Sequence, residues 1–248
     1  MFKAVIFDLD GTLLHTDQTV SDRALRAIEA CRERGIKILL ATARPERTAE
    51  MYCDIIDFDA KVFSNGARIV CGDKVTEVTI PFESTAKVLG TLDGFGTRLT
   101  LETGGAAYSN KVVGDYETII ADDLTAVAKK LNVLKVIAHM VDNREVLNIE
   151  MPDGLYFSVS GGYYMQIMNR NATKWLGVKA MLDRFGIVPE ETVYFGDDFD
   201  DIEPIRRCGI GVAVSNAIDE VKAVADHIAE SNDDDGVAKF IEGMILER

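Results

Sequence analysis

Lys3-Ala-Val-Ile-Phe-Asp8-Leu-Asp10-Gly-Thr12-Leu-Leu14 is the stretch on which the fold turns. Its apolar run, rich in β-branched and aromatic residues, reads as a fully buried strand. The run ends on two carboxylates two positions apart, followed by a Gly-Thr turn. In an open parallel sheet, ligands collect at the carboxyl ends of the strands. Strand alternation would send Asp8 and Asp10 to the same side, where they can converge on one point. Two converging carboxylates repel unless a cation or a proton lies between them. That pattern suits a hard divalent ion such as Mg²⁺, with one carboxylate left for covalent or acid–base work. A merely acidic, solvated loop would not require the buried strand in front of it.

Outward from this stretch, strand and helix alternate. A helix over about 22–34 has Ser21 as N-cap and Gly35 just past its end. A second buried strand, Ile36-Lys-Ile-Leu-Leu-Ala41, leads into Thr42-Ala43-Arg44-Pro45 and a helix to about 56. Pro45 fits a first helical turn. Ala60-Lys-Val-Phe63 reads as a third strand, ending at Ser64-Asn65-Gly66. This βαβαβ order predicts a doubly wound parallel sheet of Rossmann-like type. From about 70 to 168 the strands become more polar, as in Thr97–Glu102 and Leu155–Ser160. The Gly161-Gly162 pair joins the latter to Tyr163–Met168 as a hairpin. With an apolar strand at 133–140 and helices at 83–92, 122–131 and 143–151, this segment reads as an α+β insert. Its sheet is expected to be largely antiparallel, with helices on one face. The βα alternation then resumes: helix 174–185, strand Thr192–Phe195, helix 200–207, strand Ile210–Val214, and helices near 218–225 and 235–246. The expected organisation is a core domain, 1–69 with 169–248, interrupted by a cap domain, 70–168.

The chain has 248 residues, 47% of them apolar, which is ample for a folded core. Its formal net charge of −14 argues against nucleic acid and anionic membrane surfaces as partners. An anionic substrate would need local compensation from a metal, a lysine or helix N-termini. The four cysteines, Cys31, Cys53, Cys71 and Cys208, show no CxxC spacing, which fits a reducing compartment. With neither a secretory leader nor an apolar run of about 20 residues, a cytoplasmic protein is expected.

Three further features carry chemistry. Thr42 follows the second buried strand, where its hydroxyl can contact an anion, cap the next helix, or do both. Lys174 begins a helix, a position the helix dipole disfavours unless an anion lies nearby, although a solvated lysine is the simpler alternative. Tyr194-Phe195-Gly196-Asp197-Asp198-Phe199-Asp200-Asp201 runs a strand into four acids. Asp197 can supply a third side to a Mg²⁺ site, and some of the remaining acids serve as helix caps.

The DxDGT motif, followed in order by Thr42, Lys174 and Asp197/Asp201, resembles the motif set of the haloacid-dehalogenase-like phosphohydrolases. Gly211-Val-Ala-Val-Ser-Asn216-Ala217 and Ser64-Asn65-Gly66-Ala67 are similar to the Cof-like branch, which carries a type IIB cap where residues 70–168 lie. The resemblance implies that Asp8 is a nucleophile attacking phosphorus. It implies that Asp10 is the general acid and base, its carbonyl also touching Mg²⁺. Thr42, Ala43, Lys174 and Asp200 would bind phosphate, and Asp8, Asp10, Asp197 and Asp201 would form the metal site. Position 200 departs from the branch, which usually has Asn there; an ionised Asp cannot donate a hydrogen bond to phosphate. Pro204 stands where the branch has Met. The implied activity is Mg²⁺-dependent hydrolysis of a small phosphorylated metabolite, such as a sugar phosphate, with the cap choosing the substrate. The alternatives are a phosphomutase of the phosphomannomutase type and a non-catalytic sugar-phosphate binder. The intact Asp8/Asp10 pair counts against the binder.

Overall fold

The computed structural model describes residues 2–114 and 116–246. The chain forms two compact units. One comprises the residues up to Arg44, Thr48–Thr76 and those from Thr173 onward; the other comprises Pro45–Arg47 and Glu77–Ala172.

In chain order, β1 (Ala4–Phe7), α1 (Asp22–Glu33), β2 (Lys37–Ala41), α2 (Glu46–Ile55), β3 (Ala60–Phe63), β4 (Arg68–Cys71) and β5 (Lys74–Glu77) come first and, apart from Glu46, Arg47 and Glu77, belong to the first unit. The second carries α3 (Phe82–Asp93), β6 (Leu99–Thr103), β7 (Ala107–Ser109), β8 (Ile119–Ile120), α4 (Leu124–Ala128), β9 (Val133–His139), β10 (Leu155–Ser160) and β11 (Tyr164–Asn169). The chain then returns with α5 (Lys174–Phe185), β12 (Thr192–Gly196), α6 (Ile202–Arg207), β13 (Ile210–Val214), α7 (Asp219–Lys222), β14 (His227–Ala229) and α8 (Gly236–Phe240).

The first unit is built on an eight-stranded sheet in the order β14-β13-β12-β1-β2-β3-β4-β5. Strands β14 through β3 pair in parallel, and β4 turns back antiparallel on β3. β1 is central, and all four of its residues are buried, which is why its sequence lacks the alternation of a half-exposed strand. The chain leaves β1 toward β2 on one side and returns through β12 on the other, so a topological switch point lies at the end of β1. Helix α1 buries Ala24, Ala27, Ile28 and Cys31, one stripe at helical spacing, and Ser21 Oγ accepts from the Ala24 N–H at 3.0 Å.

The second unit is built on a six-stranded sheet in the order β10-β11-β9-β6-β7-β8, antiparallel except for the β7–β8 pair. Leu99, Leu101, Val136, Ala138, Met165 and Ile167 share one face and pack with Val88, Leu89 and Leu92 of α3. The opposite registers carry Thr100, Glu102, Lys135, His139 and Gln166 alongside Ile137 and Tyr164; Lys135 Nζ donates to Gln166 Oε1 at 2.6 Å.

The elements depart from the sequence reading in places. Residues 70–76, read as the start of the insert, belong to the β4–β5 hairpin at the edge of the large sheet, and the second unit's long segment runs from Glu77 to Ala172. The helix expected over 143–151 is a single 3₁₀ turn, Arg144–Asn148, which buries only Val146. The helix expected over 122–131 shortens to α4, with Asp123 as its N-cap. Cys31, Cys71 and Cys208 are free thiols. Among the described residues, no helix is long and apolar enough to cross a membrane.

Candidate active site

The candidate residues all belong to the first unit, and most of them lie at the carboxyl ends of its parallel strands. Asp8 follows β1, Thr42 follows β2, Asn65 follows β3 and Asp197 follows β12. Backbone bonds fix these loops: the Asp8 N–H donates to the Phe195 carbonyl at 3.0 Å, and the Asn65 N–H to the Thr42 carbonyl at 3.1 Å.

Lys174 is the cation around which the acids gather. It is buried at the start of α5, held there by Thr173, whose Oγ1 accepts from the Leu176 N–H at 3.2 Å. Its Nζ donates to Asp8 Oδ1 at 2.9 Å and to Asp201 Oδ1 at 2.7 Å. Burial alone would lower the ammonium's pKa, but Asp201 and Asp8 outweigh it and hold the group above its usual value. Lys174 is therefore a permanent cation.

Asp201 is fully committed. Besides Lys174, its Oδ1 accepts from Tyr194 Oη at 2.6 Å, and its Oδ2 accepts from the Asp197 and Asp198 N–H groups at 3.1 Å each. Four donors exhaust a carboxylate's usual acceptor sites, so Asp201 anchors the loop and the lysine. Gly196 permits this approach, since a Cβ there would lie 2.5 Å from the Asp201 side chain.

Asp197 points toward Asp8 and accepts from Thr12 Oγ1 at 2.7 Å. Gly11 has φ +70°, and a Cβ on it would lie 2.5 Å from Asp197 Oδ2. The Gly of DxDGT thus makes room for an acid contributed 186 positions later. One ligand atom each from Asp8, Asp197 and Asp201 lies within 4.8 Å of the others. Three carboxylates against one ammonium leave an excess of two negative charges. Burial, opposed by Lys174 and reinforced by Asp201 and Asp197, raises Asp8 well above the ordinary carboxylate range. Burial and then the Asp201 charge push Asp197 up to about 7. A hard divalent cation matches both the oxygen donors and the missing charge, and the site fits one on that ground.

Asp10 stands apart from this cluster. The strand ends at Phe7, and residues 9–13 form a tightly wound turn with Gly11 at positive φ, so strand alternation no longer governs position 10. Its carboxylate instead takes two hydrogen bonds from Arg44, at 2.7 and 2.6 Å. The expected convergence of the Asp8 and Asp10 side chains is not what the structure shows. Thr42 is buried and its Oγ1 accepts from the Arg44 N–H at 3.1 Å, within the Thr42–Pro45 turn that also contains Ala43. Asp200 accepts from Asn65 Nδ2 and adds to the negative potential at Lys174. Asp198 caps the turn at 199–201, with the Asp201 side chain accepting from the Asp198 N–H in return, and Asp201 stands at the N-cap position of α6.

Arg44, Asn65 and Thr12 are the polar neighbours that sequence reasoning left without roles. Their signals were visible: Arg44 and Asn65 each lie just past a buried strand, and Thr12 lies inside DxDGT.

The sequence profile of the haloacid dehalogenase-like hydrolases matches residues 5–241. The 5-amino-6-(5-phospho-D-ribitylamino)uracil phosphatase YitU of Bacillus subtilis strain 168 is 25% identical over 262 residues, covering 96% of this chain and 95% of that relative. A phosphoglycolate phosphatase of Methanopyrus kandleri is 23% identical over all of this chain and 99% of its own length. The HAD subclass IIB sugar phosphatase BT4131 superposes with a TM-score of 0.85 at 25% identity, covering 98% of this chain and 99% of that one.

Proposed function

The chain belongs to the haloacid dehalogenase-like hydrolases and is a hydrolase of phosphate monoesters, and from that premise we propose a Mg²⁺-dependent phosphatase of small polyhydroxylated metabolites that works through an aspartyl phosphate on Asp8. What supports this reading most is the buried Asp8, ion-paired to Lys174 and grouped with Asp197 and Asp201 at the end of the central strand.

Asp8 and Asp197 would hold the cation, together with the Asp10 backbone carbonyl, while Asp201 orients the site. When bound, Mg²⁺ supplies positive charge against the nucleophile and the transferring phosphoryl group. An Asp8 oxygen attacks phosphorus in line, and the bond from phosphorus to the ester oxygen breaks. Asp10 gives its proton to the departing alkoxide. Asp10, now a carboxylate, removes a proton from water, whose oxygen attacks the phosphorus of the aspartyl phosphate. Inorganic phosphate leaves and Asp8 is regenerated. Lys174, the Thr42 hydroxyl and the Ala43 backbone would compensate the charge on the phosphoryl oxygens. The sugar phosphatase and the ribitylaminouracil phosphatase among the relatives support a polyhydroxylated leaving group, for which the second unit is the natural selector.

The experiment is phosphate release from an aryl phosphate and a panel of phosphorylated metabolites, with Mg²⁺ and with excess chelator. Turnover should require the metal, and Asp8→Asn should abolish it while leaving the fold unchanged, because the amide is nearly isosteric but a poor nucleophile. Full activity in chelator would remove the metal from the mechanism, and near-normal turnover by Asp8→Asn would remove the covalent step. Metal-dependent release also separates a phosphatase from a phosphomutase or a binder.

A further inference from the structure

We propose that Arg44 is a positioning residue that fixes the orientation of the Asp10 carboxylate for proton transfer to the leaving group. The proposal rests on the reading of Asp10 as the general acid and base. Arg44 Nε donates to Asp10 Oδ2 at 2.7 Å and Nη2 to Asp10 Oδ1 at 2.6 Å. This two-point pairing of planar groups stops rotation of the carboxylate, which a single ammonium contact could not do.

The guanidinium is itself held by groups other than Asp10. Its Nη1 donates to the Thr48 carbonyl at 3.2 Å, its Nη2 also reaches Gln18 Oε1, and its carbon lies 5.2 Å from the centre of the Tyr52 ring. Tyr52 Oη donates in turn to the Gln18 carbonyl at 3.0 Å. Gln18 has a positive φ of 68° and belongs to a loop folded on itself, with the His15 N–H donating to the Thr19 carbonyl at 2.9 Å. The loop after the catalytic turn and helix α2 thus grip one cation from two sides. That cation presents its remaining fork to Asp10.

The Asp10 side chain is 48% exposed and that of Arg44 only 21%, so the pair has its acid end toward solvent and its cationic end inward. The carboxyl remains accessible to an entering ester. The Arg44 fork takes one lone pair of each oxygen, leaving the others for the proton in transit. The geometry therefore aims the acid without consuming it. Acid–base catalysis depends on that aim, because the proton must be in place as the ester bond breaks.

The test compares Arg44→Ala and Arg44→Lys with the wild type, in Mg²⁺, on phenyl phosphate and 4-nitrophenyl phosphate. The phenoxide needs a proton as it departs; the nitrophenoxide leaves without one. Loss of aim should cut kcat/KM for phenyl phosphate about 10²-fold, but for 4-nitrophenyl phosphate by less than about tenfold. Arg44→Lys should fall between, and added guanidinium ion should restore the Arg44→Ala enzyme on phenyl phosphate selectively. Circular dichroism checks folding, and Arg44→Lys carries the comparison if the alanine variant is unfolded. Equal losses on both esters, a rise in KM with unchanged kcat, or failure of guanidinium rescue would each overturn the positioning role. Asp10→Asn is measured in parallel. If it keeps the wild-type ratio between the two esters, the reading of Asp10 itself fails, whatever Arg44 does.

Discussion

Two single side-chain atoms decide how this site is assembled. At position 11 the missing Cβ leaves space for Asp197 Oδ2, and the positive φ adds a second reason for glycine. Gly11→Ala is expected to destabilise the protein by about 1–3 kcal/mol and to weaken its response to Mg²⁺. Urea unfolding with and without the metal measures both, and a variant of wild-type stability would show that the loop relaxes freely. At position 200 a carboxylate stands beside Asn65, adding negative charge near Lys174. Asp200→Asn keeps an acceptor for Asn65 and adds a donor. It should lower the inhibition constant for inorganic phosphate several-fold, by removing one repulsive charge; an unchanged constant would place Asp200 outside the phosphate's reach.

At the scale of elements, the ends of β1 and β12 concentrate the pH sensitivity, because the Asp8 and Asp197 carboxyls are both raised by burial. Burial and Asp201 push Asp197 up to about 7, whereas in an unfolded chain it returns to the ordinary carboxylate range. Between those limits the folded protein binds more protons than the unfolded chain, so stability falls as pH rises through that window. The surface carboxylates that are lowered, such as Asp235 with its Ser21 bond, titrate below it and oppose the trend only there. Metal-free protein should therefore melt at progressively lower temperature from mildly acidic pH to about 7. Asp197→Asn should flatten that slope. The stabilising shift given by Mg²⁺ should grow over the same window, because proton and cation compete for one oxygen. Identical slopes for the two metal-free proteins in thermal scans would show that Asp197 is not the group responsible.

For the whole molecule, the question is whether chemistry and choice of substrate divide between the two units. The first carries every candidate phosphoryl residue, and its apolar core runs through β1, β2, β12 and β13. Because β4 and β5 belong to its sheet, a deletion should join Thr76 to Thr173, sparing the hairpin that the sequence would have assigned to the insert. Such a protein is expected to keep hydrolysis of small aryl phosphates and to lose its ranking among metabolites. Retention of that ranking in a folded deletion variant would mean that the first unit makes the choice.

The sequence alone determined the parallel sheet and the order of the candidate phosphoryl motifs. These features rest on local physics: buried runs without alternation, capping residues such as Ser21, and glycine where φ must be positive. It did not determine partners. That Asp10 turns to Arg44 instead of joining Asp8 follows from a wound turn that abandons strand geometry at Phe7, and from a loop and a helix that hold the guanidinium in place. That Asp201 gives all its acceptor sites to Lys174, Tyr194 and two backbone groups is equally invisible, since those groups come from separate elements. The edge hairpin and the shortened helices also escaped, because short polar segments carry little periodic signal until a neighbouring strand or core selects their form. Residue identity fixed which charges are present; only packing of distant segments decided which charge faces which.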